Sequence, residues 1–232
     1  METQKTNIQL SHYRPEEYEE FKKLMQLCFD YIGGEFASEE EMTLLSNLYP
    51  EGQVVARDNG VLVGAYISRI VPYQKYCKAH TQDEILDLDT YIEDSVYGNA
   101  VYGLDIFVHP DYRRLKVGNV LYNRLFEEVS KRNFTDLLGV SLICNYGVLK
   151  NEMSLPIYIN KVKCREVKDS VLSFHLSHNM KVLDAMDNYI SSDELQNAGY
   201  AAVIGFENPY FNSNLPIYKE RKNKNSKMLA YA

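Results

Sequence analysis

The spacing of hydrophobic and polar residues divides the chain into strand and helix segments. Alternation predicts a first strand at 7–12, and apolar residues every three or four positions predict helices at 15–29 and after Ser38. Two apolar runs around an Asp-Asn-Gly turn predict a hairpin over 53–70. The remaining patterns predict, in chain order, a strand at 101–108, a helix at 118–132, a strand at 137–144, a helix from Asp169 to about His178, and strands at 180–190 and 199–211.

This order of elements defines a fold class. A strand–helix–strand crossover joins antiparallel meanders, so we predict an α/β (α+β) protein with a mixed, mostly antiparallel central sheet and about four flanking helices. The length of 232 residues suits a single domain, which we assign to residues 1–215. Irregular stretches at 72–97 and 145–168 are too long for simple connections and are interpreted as insertions. Residues 216–232 are polar and basic and are predicted to form a flexible tail.

Composition excludes several classes of protein. The net charge of −7 is opposite to the basic surplus of a dedicated nucleic-acid binder, so no nucleic-acid partner is expected. No segment approaches the roughly 18 apolar residues of a membrane span, and the first residues lack the apolar core of a signal peptide. We therefore expect a cytoplasmic protein without a membrane partner. The four cysteines are scattered without a C-x-x-C pair, which predicts no metal site. Both a monomer and a homodimer agree with these features.

The segment after the strand at 101–108 carries the clearest chemical signal. A basic turn feeds directly into the N-terminus of a helix, where free N–H groups and the helix dipole favour an anion. Arginine and lysine side chains add full positive charges, and a glycine allows close approach to the backbone. The groups expected to hold a phosphate are Arg113, Arg114, Lys116, Val117, Gly118 and Asn119.

The same segment resembles a known family. The run VHPDYRRLKVGNVLYNRL is similar to the acetyl-CoA-binding motif of the GNAT superfamily of N-acetyltransferases. Arg113 matches the first motif position and Gly118 the last, whereas Lys116 stands where the family usually has its first glycine. A lysine can still offer its backbone N–H there if its φ angle stays negative. The later run SVLSFHLSHNMKV resembles the second family landmark, with His175 at the usual tyrosine position, and is most similar to the GNAT subgroup sometimes attached to carbon–nitrogen hydrolases.

The resemblance implies an activity and a co-substrate. It implies that acetyl-CoA is bound as co-substrate and that its acetyl group moves to a primary amine of a small or amino-acid-like acceptor by direct attack. It also implies that the strand residues Ile106, Phe107 and Val108 pair with the pantetheine arm. One N–H group near Phe107 or Val108 is then expected beside the thioester oxygen.

Two side chains are candidates for proton transfer. His175 is the candidate proton donor to the departing thiolate, because a histidine with a pKa of about 6.5 donates downhill to a thiol with a pKa of about 8.5. Asp105, on the cofactor strand, is the best-placed base for the amine. His109 is an alternative base, although it can instead shape the phosphate turn. The acidic residues between 83 and 94 would attract a cationic amine, and tyrosines in both insertions are expected to line the acceptor pocket.

The sequence leaves open two alternative functions that belong to other classes of protein. The departures at Lys116 and His175 favour a non-catalytic acyl-CoA-binding or sensory domain that keeps the fold and the pocket. A protein-interaction module that uses the basic tail would lose its function on deletion of residues 219–232. Loss of turnover with retained acetyl-CoA affinity in His175→Phe would favour an enzyme over the first of these alternatives.

Overall fold

The computed structural model describes residues 7–29, 37–190 and 199–215, which form one seven-stranded sheet with helices on both faces. The strands are β1 (Ile8–His12), β2 (Gln53–Asp58), β3 (Val61–Val71), β4 (Ala100–Val108), β5 (Asp136–Leu142), β6 (Lys181–Met186) and β7 (Ala201–Glu207). They lie in the order β1-β2-β3-β4-β5-β7-β6. Among these strands only β4 and β5 are parallel neighbours, so the predicted mixed, mostly antiparallel sheet is confirmed. The predicted tail at 216–232 lies outside the described residues.

Nine α-helices accompany the sheet within the described ranges. They are α1 (Tyr18–Phe29), α2 (Glu39–Leu48), α3 (Tyr73–Tyr76), α4 (Gln82–Leu86), α5 (Tyr91–Tyr97), α6 (Val117–Lys131), α7 (Tyr146–Leu149), α8 (Leu155–Lys163) and α9 (Ser170–Ser177). The four predicted helices correspond to α1, α2, α6 and α9. The other five lie in the stretches 72–97 and 145–168, which are therefore helical rather than irregular. Four of these five have only four to seven residues, too few for a clear helical period.

Local signals in the sequence explain where several elements begin and turn. The Ser38 side chain accepts a hydrogen bond from Glu41 N–H at 3.1 Å and caps α2, as its position before the helix predicts. Thr81 and Glu84 form a complete capping box at α4. The β2–β3 hairpin turns through Asn59 and Gly60, with φ angles of 50° and 86°. No helix in the described ranges has both the length and the apolar composition needed to cross a lipid bilayer.

The sheet has two covered faces, which we call the front and the rear. On the front face, α1 and α2 pack over β2 and β3 around Phe21, Met42 and Ile67, and Tyr91 of α5 joins this core. On the rear face, α6, α8 and α9 bury a larger core. The rear core includes Leu121, Tyr158 and Leu172. The sheet thus separates two layers of helices.

The parallel strands β4 and β5 are paired at their first residues and then diverge. They pair only through Ala100–Gly103 and Asp136–Gly139. Beyond this point β5 continues to pair with β7, whereas β4 keeps only β3 as a neighbour. The strands approach closely where they part, because a Cβ at Gly139 would lie 3.3 Å from the Gly103 carbonyl oxygen. The result is a wedge-shaped opening between β4 and β5 that joins the front and rear faces.

Candidate functional site

The peptide groups of β4 along the opening alternate in direction. His109 N–H donates to the Val63 carbonyl at 2.9 Å, so His109 and, two residues earlier, Phe107 are paired with β3. Ile106 and Val108 alternate with these residues and turn their N–H and C=O groups away from β3 into the opening. The expectation that all three of 106–108 present peptide groups to a ligand is thus corrected for Phe107, whose ring packs in the front core.

The basic turn at the rear end of β4 has an unusual backbone. Arg114 and Lys116 both have φ angles of 67°, in the left-handed region that non-glycine residues rarely adopt. The negative φ on which the contact of the Lys116 N–H was made conditional is therefore absent: the lysine adopts a left-handed backbone that glycine adopts without strain. Such a conformation costs roughly 1–2 kcal/mol for an L-residue. Strained backbone of this kind is concentrated at functional sites.

The helix that follows this turn begins without a side-chain cap. Lys116 makes no capping hydrogen bond, and the first-turn N–H groups of Val117, Gly118 and Asn119 find no partner in the described part of the chain. The side chains of Arg113, Arg114 and Lys116 are exposed and make no ion pair there. These free donors and cations converge on one helix N-terminus, which is suited to bind a phosphate.

Gly118 lies where α6 meets α9. A Cβ at this position would be 3.0 Å from the Phe174 ring and 4.0 Å from Val108. The absence of a side chain therefore permits the close approach of α6 to both α9 and β4. This agrees with the motif position to which Gly118 was matched.

Asp105 lies on the front face beside the opening. Its strand partner across the β3–β4 ladder is Ile67, and Leu104 is an extra, bulged residue just before it. The Asp105 carboxyl is only partly exposed and has no hydrogen-bond partner in the described ranges. Burial raises its pKa to about 7, and the negative charge of Glu41 contributes further. A carboxylate that titrates near neutral pH is suited to general-base catalysis.

Glu41 was missed as a site residue, because its place three residues after Ser38 identified it only as part of a helix cap. Its carboxylate instead accepts a hydrogen bond from the Tyr91 hydroxyl at 2.8 Å. Burial raises the pKa of Glu41, and the Tyr91 hydrogen bond and the Arg69 charge oppose that rise. The Arg69 guanidinium stacks on the Tyr91 ring at 3.8 Å. The front face therefore carries a second carboxylate close to Asp105.

His175 is buried on the rear face, where it joins α9 to α6. Its Nδ1 is hydrogen-bonded to the hydroxyl of Tyr122, which is itself buried. Desolvation lowers the pKa of His175 to about 4, with a smaller effect from His178. The ring is therefore neutral at pH 7, which corrects the expectation of a partly protonated donor. A neutral imidazole still donates a hydrogen bond from its N–H.

The remaining candidates have simpler surroundings. His109 Nδ1 accepts a hydrogen bond from Asp111 N–H at 3.2 Å and caps the short 3-10 turn before the basic segment. His109 thus shapes that turn. In the acidic stretch, Asp94 is buried and paired with Arg69, whereas the carboxylates of α4 remain exposed. Within the described residues, no group of three His, Cys, Asp or Glu side chains could hold a metal ion.

These features are typical of an acyl-CoA-dependent acyltransferase. They are an anion site at one end of β4, free peptide groups along that strand, and a titratable carboxylate on its front face beside the opening. The Acetyltransferase (GNAT) family profile matches residues 18–146, more than half of the chain. The chain belongs to this family, so it is an acetyltransferase and acetyl-CoA is its co-substrate.

Two curated relatives come from Bacillus subtilis (strain 168). A protein named "Probable hydrolase YhcX" is 31% identical over 168 residues, which cover 71% of this chain but only 32% of that protein. This partial match agrees with the resemblance to the subgroup attached to hydrolases. The "Uncharacterized N-acetyltransferase YkwB" is 26% identical over 206 residues and is matched along 90% of its length, with 88% of this chain covered.

Solved structures confirm the fold. The loading GNATL domain of CurA from Lyngbya majuscula has a TM-score of 0.72 at 19% identity, covering 87% of this chain and 98% of that domain. The GphF GNAT-like decarboxylase, solved with isobutyryl-CoA, has the same TM-score at 21% identity, covering 86% of this chain and 98% of that one. The ribosomal-protein-S18-alanine N-acetyltransferase from Escherichia coli has a TM-score of 0.54 at 16% identity, covering 90% and 99% of the two chains.

The residues present fit acetyl-CoA. The free N–H groups of α6 and the unpaired cations of the basic turn match the chemistry of a diphosphate. The free peptide groups of Ile106 and Val108 match an arm that pairs as an added strand. Both sets lie at the same end of β4, so one extended ligand can reach both.

Proposed function

We propose that this acetyltransferase moves an acetyl group from acetyl-CoA to a primary amine of a small or amino-acid-like acceptor, with Asp105 as the general base. The observation that carries this proposal is the position of Asp105. Its carboxyl lies on the front face beside the opening, it titrates near pH 7, and no described residue neutralises it. An ammonium group is the complementary ligand for such a carboxylate, and it must lose a proton before it can attack.

The rear face binds the co-substrate in this proposal. Acetyl-CoA supplies the activated acetyl group when bound. Arg113, Arg114, Lys116 and the N–H groups of Val117, Gly118 and Asn119 hold its diphosphate. Ile106 and Val108 pair with the pantetheine arm, and the Val108 N–H donates to the thioester oxygen, whose negative charge increases during attack. Of the two candidates, Phe107 and Val108, only Val108 turns its N–H into the opening, so we assign this role to Val108.

The front face orients the amine. Asp105 accepts the proton, and Glu41 supplies a second negative charge that favours a cationic acceptor over a neutral one. The Tyr91 hydroxyl holds the Glu41 carboxylate in place. The opening between β4 and β5 lets the amine on one face meet the acetyl group from the other.

His175 keeps a role in this proposal, but as a hydrogen-bond donor. In this proposal the Tyr122 hydroxyl donates to Nδ1, so the neutral ring carries its proton on Nε2. That N–H stabilises the departing thiolate without requiring an imidazolium. His175→Phe is expected to lower kcat while it leaves acetyl-CoA binding intact, whereas a purely structural histidine would affect stability alone.

Release of the CoA thiol tests the proposal. Wild-type protein is mixed with acetyl-CoA and, separately, with lysine, glycinamide, 1,4-diaminobutane and tryptamine, with the corresponding alcohols as controls. We expect at least one amine to release thiol and form an acetamide, and the alcohols to remain inert. Asp105→Asn should reduce the rate by about 10²–10⁴-fold, the usual contribution of a general base.

Two outcomes would overturn the proposal. Unchanged thiol release in Asp105→Asn would remove Asp105 as the base. Binding of acetyl-CoA without acetamide from any amine would favour the acyl-CoA-binding or sensory alternative. In that case a thermal shift with acetyl-CoA would persist although no product is formed.

A further inference from the structure

The first insertion crosses the front face of the sheet and then returns. We call residues 77–82, which lead from the end of α3 to the first residue of α4, the strap. Just before the strap, Tyr76 shares a buried cluster with Tyr102 of β4 and Leu138 of β5. Leu104 packs against both this cluster and the front core. The strap therefore begins on the front face, in contact with the two strands that border the opening.

One side chain of the strap holds it to β4. His80 is buried, and its Nε2 lies 2.8 Å from the Tyr102 hydroxyl. Tyr102 stands one residue before Gly103, the last residue of β4 that pairs with β5. The strap thus meets β4 at the closed end of the opening, where the two strands diverge.

Backbone N–H groups of the strap bind the opposite edge of the sheet. Ala79 N–H donates to the Asp184 carboxylate at 2.8 Å, and His80 N–H donates to Met186 Sδ at 3.4 Å. Both acceptors belong to β6, which lies beyond β5 and β7 in the sheet. The strap therefore spans β5 and β7 on the front face and joins the two halves of the sheet that the opening separates.

The register of β6 brings the Asp184 side chain to the strap. Leu183 is an extra, bulged residue, so Asp184 stands opposite Val203 of β7. Val203 stands opposite Val140 of β5, which packs against the Tyr102 cluster on the front face. Val140 directly follows the last β5 residue that pairs with β4. Asp184 therefore anchors the strap at the level of the opening.

The front approach to Asp105 is bounded on both sides. On the β3 side, α2 and α5 pack in the front core with Phe107, two residues after Asp105. On the β5 side, the strap lies in front of β5 and β7. An acceptor whose chain continued across the sheet from Asp105 would meet the helices in one direction and the strap in the other. A small amine crosses neither.

We propose that the strap determines acceptor specificity: its hydrogen bond to Asp184 keeps the front face closed beside the opening, so that small amines are accepted and the amino terminus of a peptide or protein is excluded. This inference rests on the proposed function, in which Asp105 binds the amine on the front face, and it defines the acceptor class of that site. Asp184 selects acceptors through the strap and does not contact the reacting atoms.

Amide hydrogen exchange tests the strap without any acceptor. Ala79 is exposed, so its N–H exchanges slowly only if the bond to Asp184 protects it. We expect protection in wild type and in the matched variant Asp184→Asn, whose side-chain oxygen can accept the same bond. Asp184→Ala should remove the protection. An unprotected Ala79 N–H in wild type, or protection that survives Asp184→Ala, would overturn the proposal.

Acceptor length tests the selectivity. The most active amine of the panel above is compared with the same amine carrying a tetraglycine extension at the end away from the reacting nitrogen. We expect wild type and Asp184→Asn to prefer the short acceptor by at least about tenfold in kcat/KM. Asp184→Ala should reduce this preference to about threefold or less, because it removes a charge-assisted hydrogen bond that holds the strap. The ratio of the two rates cancels any general loss of activity.

A second variant removes the same bond from the other side. Ala79→Pro has no N–H to donate, so it should reduce the preference as Asp184→Ala does. If one of the two variants fails to fold, the other decides. A preference that stays at the wild-type value in the folded variant would overturn the proposal.

The same assay separates this inference from the proposed function. If wild type acetylates the extended amine as rapidly as the short one, the strap does not select the acceptor, whereas Asp105 can still be the base. If wild type binds acetyl-CoA but acetylates no amine of the panel, the proposed function fails, and the selectivity fails with it even where the Ala79 N–H is protected.

Discussion

Asp105 illustrates how the surroundings of one residue create its chemistry. An aspartate on a strand ordinarily loses its proton near pH 4 and is ionised above that pH. Here the front-face packing removes water from the carboxyl, and the Glu41 charge adds to that effect, so its pKa rises to about 7. A base with this pKa is ionised in part of the population at neutral pH and still binds a proton strongly. Activity should therefore fall as pH decreases through about 7.

The same shift makes Asp105 unfavourable for stability at high pH. Its folded pKa lies above its unfolded value, so the native state retains a proton that the unfolded chain has lost between about pH 4 and pH 7. The associated stabilisation is complete below that window and is lost as pH rises through it. We expect Asp105→Asn to be more stable than wild type at pH 8, by about 1 kcal/mol given its partial exposure, and equal to it near pH 4. Urea unfolding at both pH values measures this, and a destabilised variant at pH 8 would contradict the account.

Lys116 carries strain that a glycine would relieve. We expect Lys116→Gly to stabilise the fold by about 1 kcal/mol, because a φ of 67° costs nothing for glycine. It should also weaken acetyl-CoA binding, because a positive charge at the diphosphate is lost. Arg165→Gly is the matched control: Arg165 has a φ of 62° and is exposed in the second insertion, so it should gain stability without a change in affinity. Equal affinity in Lys116→Gly and wild type would remove Lys116 from the donor site.

At the scale of elements, the first insertion is attached to the sheet through a buried ion pair. Arg69 on β3 donates to Asp94 of α5 at 2.6 Å, to the Ile85 carbonyl at 2.7 Å and to Thr90 at 3.0 Å. One guanidinium thus joins α4, α5 and the turn between them to the strand beside the site. The same residue supports Tyr91, whose hydroxyl holds the Glu41 carboxylate.

Removing one partner of this pair should be costly. Asp94→Ala leaves the Arg69 charge buried and unpaired, so we expect a loss of about 3–5 kcal/mol and a fall in Tm of roughly 10 °C. Glu20→Gln is a suitable control, because the Glu20–Arg57 pair is much more exposed and should contribute less than about 1 kcal/mol. Calorimetry of both variants tests this prediction. Similarly small losses of unfolding free energy in both would show that Arg69 does not anchor the insertion.

The sequence predicted the elements better than their contacts. The helical period identified α1, α2, α6 and α9, and the Asp-Asn-Gly turn identified the β2–β3 hairpin, because these signals are local. Short helices such as α4 were not predicted, because five residues do not complete a repeating pattern. The last two predicted strands were too long: β6 ends at Met186 and β7 at Glu207. Sheet pairing ends where the alternation continues, and only the tertiary structure determines that point.

In the candidate site, too, the sequence predicted the residues that are contiguous along the chain and missed contacts between distant ones. The basic turn and Gly118 were found because they form one continuous segment. Glu41, Tyr91 and Asp105 lie far apart in sequence, and only the packing of α2 and α5 against the sheet brings them together. The left-handed conformation of Lys116 contradicts its residue preference, so the sequence could not predict it. The neutral state of His175 follows from burial, which a single sequence position does not reveal.

At the scale of the whole molecule, the opening between β4 and β5 lies between two faces with different proposed roles: donor binding at the rear and amine binding at the front. Cations and free helix N–H groups lie on the rear side, and the carboxylates of Asp105 and Glu41 lie on the front. This separation keeps the negative charges that attract an amine away from the site that binds a diphosphate. The described sheet therefore provides two sites of opposite charge that meet only at the gap.

Ligand binding to one side should stabilise the entire domain. Acetyl-CoA at 100 times its dissociation constant is expected to add about 2.7 kcal/mol by mass action, which corresponds to a rise in Tm of about 5–10 °C. CoA should produce a similar shift, and ATP should produce none because it lacks the pantetheine arm that pairs with β4. A shift with ATP equal to that with CoA would mean that the site recognises only phosphate.

The central claim, that donor binding and base catalysis reside on opposite faces of β4, is tested most directly by CoA release as a function of acetyl-CoA concentration in two variants. Gly118→Glu places a negative charge at the diphosphate site and should raise the KM for acetyl-CoA at least tenfold, because like charges repel there. Asp105→Asn should leave that KM within about twofold and lower kcat by at least 10²-fold. If Gly118→Glu lowers kcat alone, or Asp105→Asn raises the KM alone, the assignment of the two faces is wrong.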